Sequence, residues 1–109
     1  PELAGVKLII YLEDTIDISD IADAVWRFSN NVDPKRDAYV SGHGIGFDGT
    51  RKTKELDGFE RDWPNILASE ETTIHHIDAI WNKLGLGKFI KSPSLKYRKQ
   101  LYEGGAVAK

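Results

Sequence analysis

Gly44 to Gly49 read GIGFDG, the G-x-G-x-x-G spacing that cradles a pyrophosphate in dinucleotide-binding folds. That chemistry needs the glycines between a strand and a helix N-terminus, so that backbone amides and the helix dipole face the phosphates. Here the glycines are followed by TRKTKELDG (Thr50–Gly58), a poor helix opening. Gly42, Gly44 and Gly46 also alternate, which suits close backbone approach or a sharp bend better than a phosphate loop. His43 lies among these glycines, and Arg51 and Lys52 follow them. A base at those positions can hold a phosphate or a carboxylate. His43, Arg51 and Lys52 are therefore the candidate cofactor-binding residues, with solvated surface as the plainer reading of the two bases.

The other reactive side chains give weaker patterns. His75 and His76 are neighbours on a helical stretch, where they point about 100° apart and do not readily share one metal. No histidine pair stands four residues apart, and cysteine is absent, so no zinc-type ligand set is assigned. The acidic run EDTIDISD (Glu13–Asp20) offers paired carboxylates of the kind tuned for acid–base work, but a solvated helix start explains it more simply. Ser41 precedes Gly42 outside any G-x-S-x-G setting. No catalytic residue is assigned.

The elements that must position these residues describe an α/β chain. The expectation is a small mixed sheet with a βαβ start, packed helices and a C-terminal helical tail. VKLIIYL (Val6–Leu12) is apolar on both faces, as a buried strand is. Asp17 or Ser19 caps a helix whose apolar stripe is Ile21, Val25 and Phe28. NNVDPKRD (Asn30–Asp37) stops it, because the residue before a proline avoids helix. Ala38–Val40 reads as a second strand and Ile45–Asp48 as a short third. SEETTIHHIDAIWNKLGLG (Ser69–Gly87) is a helix with Ser69 at its N-cap, a stripe of Ile74, Ile77, Ile80, Trp81 and Leu84, and Gly85 at its stop. Pro93 and Gly104 bracket a last helix. The expected division is 1–90 for the α/β domain and 91–109 for a basic C-terminal helix or tail.

Charge sharpens this picture. The net charge is −2 over 109 residues, which argues against a general nucleic-acid binder. Residues 1–82 hold 8 Lys/Arg against 16 Asp/Glu, whereas residues 83–109 hold 7 against 1. Such a basic tail suits an acidic partner surface or a phosphate. No apolar run approaches the roughly 20 residues of a membrane span, and no signal pattern opens the chain. A soluble cytoplasmic protein, with no membrane or nucleic-acid partner, is expected.

In order, the motifs resemble the C-terminal domain of UbiD-type carboxy-lyases, the prenylated-flavin-dependent (de)carboxylases. The residues that carry the likeness are Asp14, Ile16 and Asp17 after the first strand, Trp26 on the helix, and the box Asp33-Pro34-Lys35-Arg36-Asp37. SGHGIGFDGTRK (Ser41–Lys52) resembles the family's Gly-hydrophobic-Asp-Ala-Thr-x-Lys segment, and DWPN and HHIDAIWNKLGL resemble its later Trp-Pro segment and closing helix. The resemblance implies an α/β domain beside a central flavin-binding barrel, often in oligomer contacts. It implies reversible decarboxylation of aromatic or unsaturated acids with prenylated FMN, manganese and potassium, and with an Arg and two Glu doing the acid–base work. Those residues belong to upstream domains, so none maps onto this chain. The connection after Asp37, which in the family helps line the substrate pocket, is shorter here. The expectation is a small accessory subunit or C-terminal fragment, not catalytic alone, that binds no cofactor itself and joins a larger UbiD-like catalytic subunit in a hetero-oligomer. The alternative is a free-standing small-ligand or nucleotide-binding module using Gly42–Lys52.

Overall fold

The computed structural model describes residues 5–106. The chain forms two compact units, residues 1–60 and residues 61–109. The described part is a mixed α/β fold, with a three-stranded sheet in the first unit and a helical second unit.

In the first unit, β1 (Leu8–Tyr11), β2 (Ala38–Ser41) and β3 (Gly44–Asp48) form a sheet of order β1-β3-β2. β3 runs parallel to β1, with Ile10 opposite Phe47, and antiparallel to β2, with Tyr39 opposite Gly46. The parallel neighbour of β1 is thus the glycine-rich strand rather than Ala38–Val40. β2 and β3 are joined by Gly42-His43. Gly42 has φ 57°, the positive value that a two-residue hairpin needs at its first position and that only glycine adopts freely.

α1 (Ile21–Asn31) covers one face of the sheet, with Phe28 edge-on to Phe47 at 5.5 Å between ring centroids. Its N-cap is Asp20, which accepts from the Asp23 amide. Asp17 instead closes a local turn, accepting from the amide and hydroxyl of Ser19. The expected apolar stripe is only partly turned inward. Phe28 packs on the sheet, but Ile21 is 69% and Val25 55% exposed, while Asp23, Arg27 and Asn31 are buried. These three stand four residues apart and so share one stripe of the helix. The Asn31 amide donates to the Gly49 carbonyl at 2.8 Å, and Arg27 lies over the Trp26 ring. Asn31 thus ties the end of α1 to the residue that follows β3, with the polar stripe rather than the aliphatic one turned inward.

After α1, Val32 is extended and α2 (Pro34–Asp37) is a single turn, with Pro34 in its first turn and Asp33 accepting from the Lys35 amide. Proline is suited to that opening position because it has no N–H to leave unpaired. α3 (Lys54–Asp57) is another single turn, capped by Thr53.

In the second unit, α4 spans Glu71–Ile80 and passes into a 3-10 turn at Trp81–Lys83. Its N-cap is Glu70, without a side-chain cap. The Ser69 carbonyl accepts from Arg98 Nη1 at 2.7 Å. Ile74 is buried, but Ile77 and Leu84 remain exposed. α5 (Ser94–Arg98) supplies Arg98. The segment at Trp63 is tied to the chain end: the Tyr102 hydroxyl and the Ala106 amide both donate to the Trp63 carbonyl.

Candidate functional site

The charged side chains that converge belong to the first unit. Asp37 ends α2 and is 1% exposed; Lys52 lies beyond β3 and is 3% exposed. Buried charges of this kind persist only when paired and hydrogen-bonded. Arg36 forks onto the Asp37 carboxylate, Nε to Oδ1 at 2.7 Å and Nη2 to Oδ2 at 2.6 Å. The Asp33 amide donates to the same Oδ2 at 2.8 Å. Arg36 also donates to the Asn31 carbonyl, which ties α2 to the end of α1. The Lys52 ammonium sits 3.0 Å from Asp48 Oδ2, 3.0 Å from the Asp48 carbonyl and 3.6 Å from Asp37 Oδ1.

Local backbone chemistry puts Asp48 and Lys52 within reach of each other. Asp48 ends β3, and its Oδ1 accepts from the amide and the hydroxyl of Thr50. This side-chain-closed turn folds the chain back, so that Lys52, four residues on, meets the carboxylate. The Arg51 amide between them donates to Glu13 Oε1 at 2.7 Å, fixing the loop to the segment after β1.

The electrostatics follow from these contacts. Burial pushes the Asp37 carboxyl upward and is the largest single influence. The hydrogen bonds from Arg36 and the Asp33 amide, with the charges of Lys52 and Arg36, outweigh it and hold Asp37 below the ordinary 3.8. Burial likewise raises Asp48, but the two Thr50 hydrogen bonds and Lys52 hold it below 3.8. The hydrogen bond to Asp37, opposed by burial, raises the Arg36 guanidinium. Both carboxylates are therefore charged at neutral pH, and the cluster is a closed ionic clasp joining α2 to the end of β3.

The structure places the three sequence-predicted site residues apart in role. His43 is exposed in the β2–β3 hairpin. Arg51 is half-buried, with its amide on Glu13. Lys52 is turned inward onto Asp48 and Asp37. Gly44 and Gly46 lie within β3, and no helix opens at Gly49; α3 begins at Lys54. The strand–loop–helix geometry of a dinucleotide fingerprint is not formed here. Among the described residues no three His, Asp or Glu side chains converge as metal ligands. Sequence reasoning missed Asp37 and Asp48 as partners of Lys52. The signal was present in two motifs noted separately: Asp37 closes the Asp-Pro-x-Arg-Asp box, and Asp48 and Lys52 belong to the glycine-rich one.

A second feature of the same unit is the sheet face opposite α1. Ile9 and Tyr11 of β1 and Tyr39 and Ser41 of β2 flank Gly44 and Gly46 of β3, which have no side chains. The result is a trough of about 360 Å³ floored by backbone. Tyr11 and Tyr39 are 53% and 55% exposed. Among the described residues of the first unit no helix packs on this face, so the two tyrosines stand over a bare sheet.

Comparison with known proteins decides the family. The 3-octaprenyl-4-hydroxybenzoate carboxy-lyase C-terminal domain matches residues 1–55. The chain belongs to this UbiD C-terminal domain family. Its relatives include uncharacterised proteins of Aquifex aeolicus (32% identical over 73% of this chain), Archaeoglobus fulgidus (27% over 75%) and Aeropyrum pernix (28% over 78%). The UbiD-type chain spans 20–21% of the length of these relatives. The ionic clasp lies within the matched segment. Its two cations are held by carboxylates, so the clasp does not fit the phosphate of a flavin mononucleotide, which needs uncommitted donors.

Proposed function

We propose that this chain is an accessory C-terminal lobe of a UbiD-like carboxy-lyase or carboxylase acting on an aromatic or unsaturated acid. It serves as a small subunit or as the end of a longer polypeptide, and its role is assembly rather than chemistry. Prenylated FMN, with manganese and potassium, belongs to the larger catalytic portion. The observation that carries this reading is the uncovered sheet face in a chain matching one fifth of its relatives' length. A sheet left open on one side is completed by the next layer of a larger fold. Tyr11, Tyr39 and the glycine-floored trough between them are the surface that such a layer would cover. The ionic clasp supports the same role, since it rigidifies the strand ends that frame the trough.

Purification from the native source tests the reading. The expected result is co-elution of this sequence, covalently or as a subunit, with a flavin-binding portion whose preparation releases carbon dioxide from an unsaturated acid. Native material that runs with no flavin-binding portion would overturn it.

A further inference from the structure

The second unit holds a cleft of its own, outside the segment that the family match covers. Its volume is about 280 Å³. α4 and the turn after it supply Ile74, Ile77 and Trp81 to the lining, and the stretch before α5 supplies Ile90 and Pro93. Ile74 is buried at the base of this set. The Trp81 ring is held in place: its indole donates to the Gly87 carbonyl at 3.2 Å, and Phe89 stands edge-on to it at 6.1 Å between ring centroids. A wall formed in advance reduces the freedom lost on binding.

One charge breaks the apolar lining. Asp78 is half-buried there, and its carboxylate makes no hydrogen bond or ion pair among the described residues. Two costs fall on it. A charge drawn from water toward apolar surroundings is unfavourable unless it is paired. Asp78 also stands in the last turn of α4, which carries no basic residue, and a carboxylate there faces the negative end of the helix dipole. Lys83, the next base along the chain, is exposed and forms no ion pair with it. A bound cation would relieve both costs.

The rest of the lining selects the kind of cation. Asp78 is the one carboxylate in it, and among the described residues no three metal-ligating side chains converge, so a bare metal ion lacks its ligands. An indole ring beside three isoleucines accepts an apolar body instead, and such a ring also attracts an ammonium group. Thr73 and Ser94 add hydroxyl-bearing residues, acceptors for N–H groups that one carboxylate leaves over. We propose that this cleft binds a small arylalkyl cation, with a primary ammonium on Asp78 and a short aromatic body against Trp81 and the isoleucines. The volume lies just below the range that takes drug-sized ligands, which suits a compact one.

Titration of the isotope-labelled 109-residue chain with 2-phenylethylammonium, followed by NMR, tests this. The expected result is saturable movement of the Trp81 indole N–H and of the Ile74, Ile77 and Ile90 methyls, with a Kd on the order of 1 mM. 2-Phenylethanol, of the same size without the charge, should bind about tenfold more weakly, and 3-phenylpropanoate more weakly still. Asp78→Asn should weaken the ammonium about tenfold and leave the alcohol unchanged. Glu55→Gln, at an exposed acid on α3 in the first unit, should change nothing. n-Butylammonium, which imitates a lysine side chain, should bind several-fold more weakly because it buries less apolar surface. No saturable shifts at these residues, no preference for the ammonium over the alcohol, or equal effects of Asp78→Asn and Glu55→Gln would overturn the proposal. Tighter binding of n-butylammonium would overturn it too, in favour of a lysine from a partner protein. None of these outcomes bears on co-elution with a flavin-binding portion.

Discussion

Replacing Lys52 with Met keeps the apolar stem and removes the ammonium. In the native cluster that ammonium lies 3.0 Å from Asp48 and 3.6 Å from Asp37. At an effective dielectric of about 20 each contact is worth roughly 5 kcal/mol of gross attraction, most of it offset by the desolvation of the ions. Breaking a buried pair from one side costs about 3–5 kcal/mol, because the other charge stays buried. Two features set the expectation at the lower end. Asp48 has a quarter of its side-chain surface open and regains water, and Asp37 keeps the Arg36 fork. The expected loss is about 3 kcal/mol, which in a domain of this size lowers Tm by roughly 12–24 °C. Urea and thermal unfolding of both proteins measure it. The Asp37→Asn, Lys52→Met double variant should lose less than the sum of the single changes, since neither buried charge is then left facing an absent partner. A loss under about 1 kcal/mol, or strict additivity, would refute the reasoning, since both results describe charges that water already satisfies.

The pH dependence has a definite sign. Asp37 and Asp48 titrate below 3.8 in the folded chain, so their contribution is fully present above the unfolded value and is lost as pH falls through the folded ones. Stability should be flat from neutral pH to about 5 and then drop on further acidification; in Lys52→Met the acid loss should begin at higher pH, as followed by denaturation at fixed pH. Gly105→Ala should destabilise the second unit by about 2 kcal/mol, because φ is 78° there and a Cβ would meet the Trp63 carbonyl oxygen at 2.6 Å; Trp fluorescence on denaturation reads it. Asp33→Ala should cost about 1 kcal/mol through loss of the cap on Pro34–Asp37, with a matching fall in the denaturation midpoint. Phe28→Ala removes the ring packed on Phe47 and should cost about 2–3 kcal/mol, less than a fully buried aromatic because Phe28 is half-buried.

The strands were legible because β-branched and aromatic runs bounded by turn residues admit few other readings. Val6–Leu12 contains the observed β1, and Ile45–Asp48 is the observed β3 without its first residue, Gly44. Pairing order was not legible: nothing in Ala38–Val40 or in GIGFDG says which strand lies beside β1. The α4 boundary was close because acidic residues open that helix and Gly85 follows its end. Its cap lies one residue on, at Glu70, which makes no side-chain cap bond. The clasp was invisible because its partners come from separate stretches of the chain. Asp37 and Lys52 look like solvated surface residues until the hairpin between them folds, and only then do opposite charges meet in a buried place.

Periodicity and structure disagree in β1, expected as a buried strand but with Leu8, Ile10 and Tyr11 exposed, in α4 and the turn after it, where Ile77 and Leu84 stay exposed, and in the rotation of α1, where the disagreement carries information. A helix whose aliphatics face its own core gains from burying them; here Asp23, Arg27 and Asn31 take that side, while Ile18, at the approach to the helix, and Ile21 and Val25 on it face outward. Full burial of such a side chain stabilises by about 1.5–3 kcal/mol. Scaled by their exposure, the three together leave roughly 3–6 kcal/mol of gross burial unused in the single chain, an amount comparable to the whole stability of a small domain. Ile21 is 69% exposed, so Ile21→Ser should change the stability of the chain by no more than about 0.5 kcal/mol, as read by urea and thermal unfolding. A loss above about 2 kcal/mol would mean that the outward stripe is buried in the folded chain after all, and that periodicity rather than the polar stripe sets the rotation of α1.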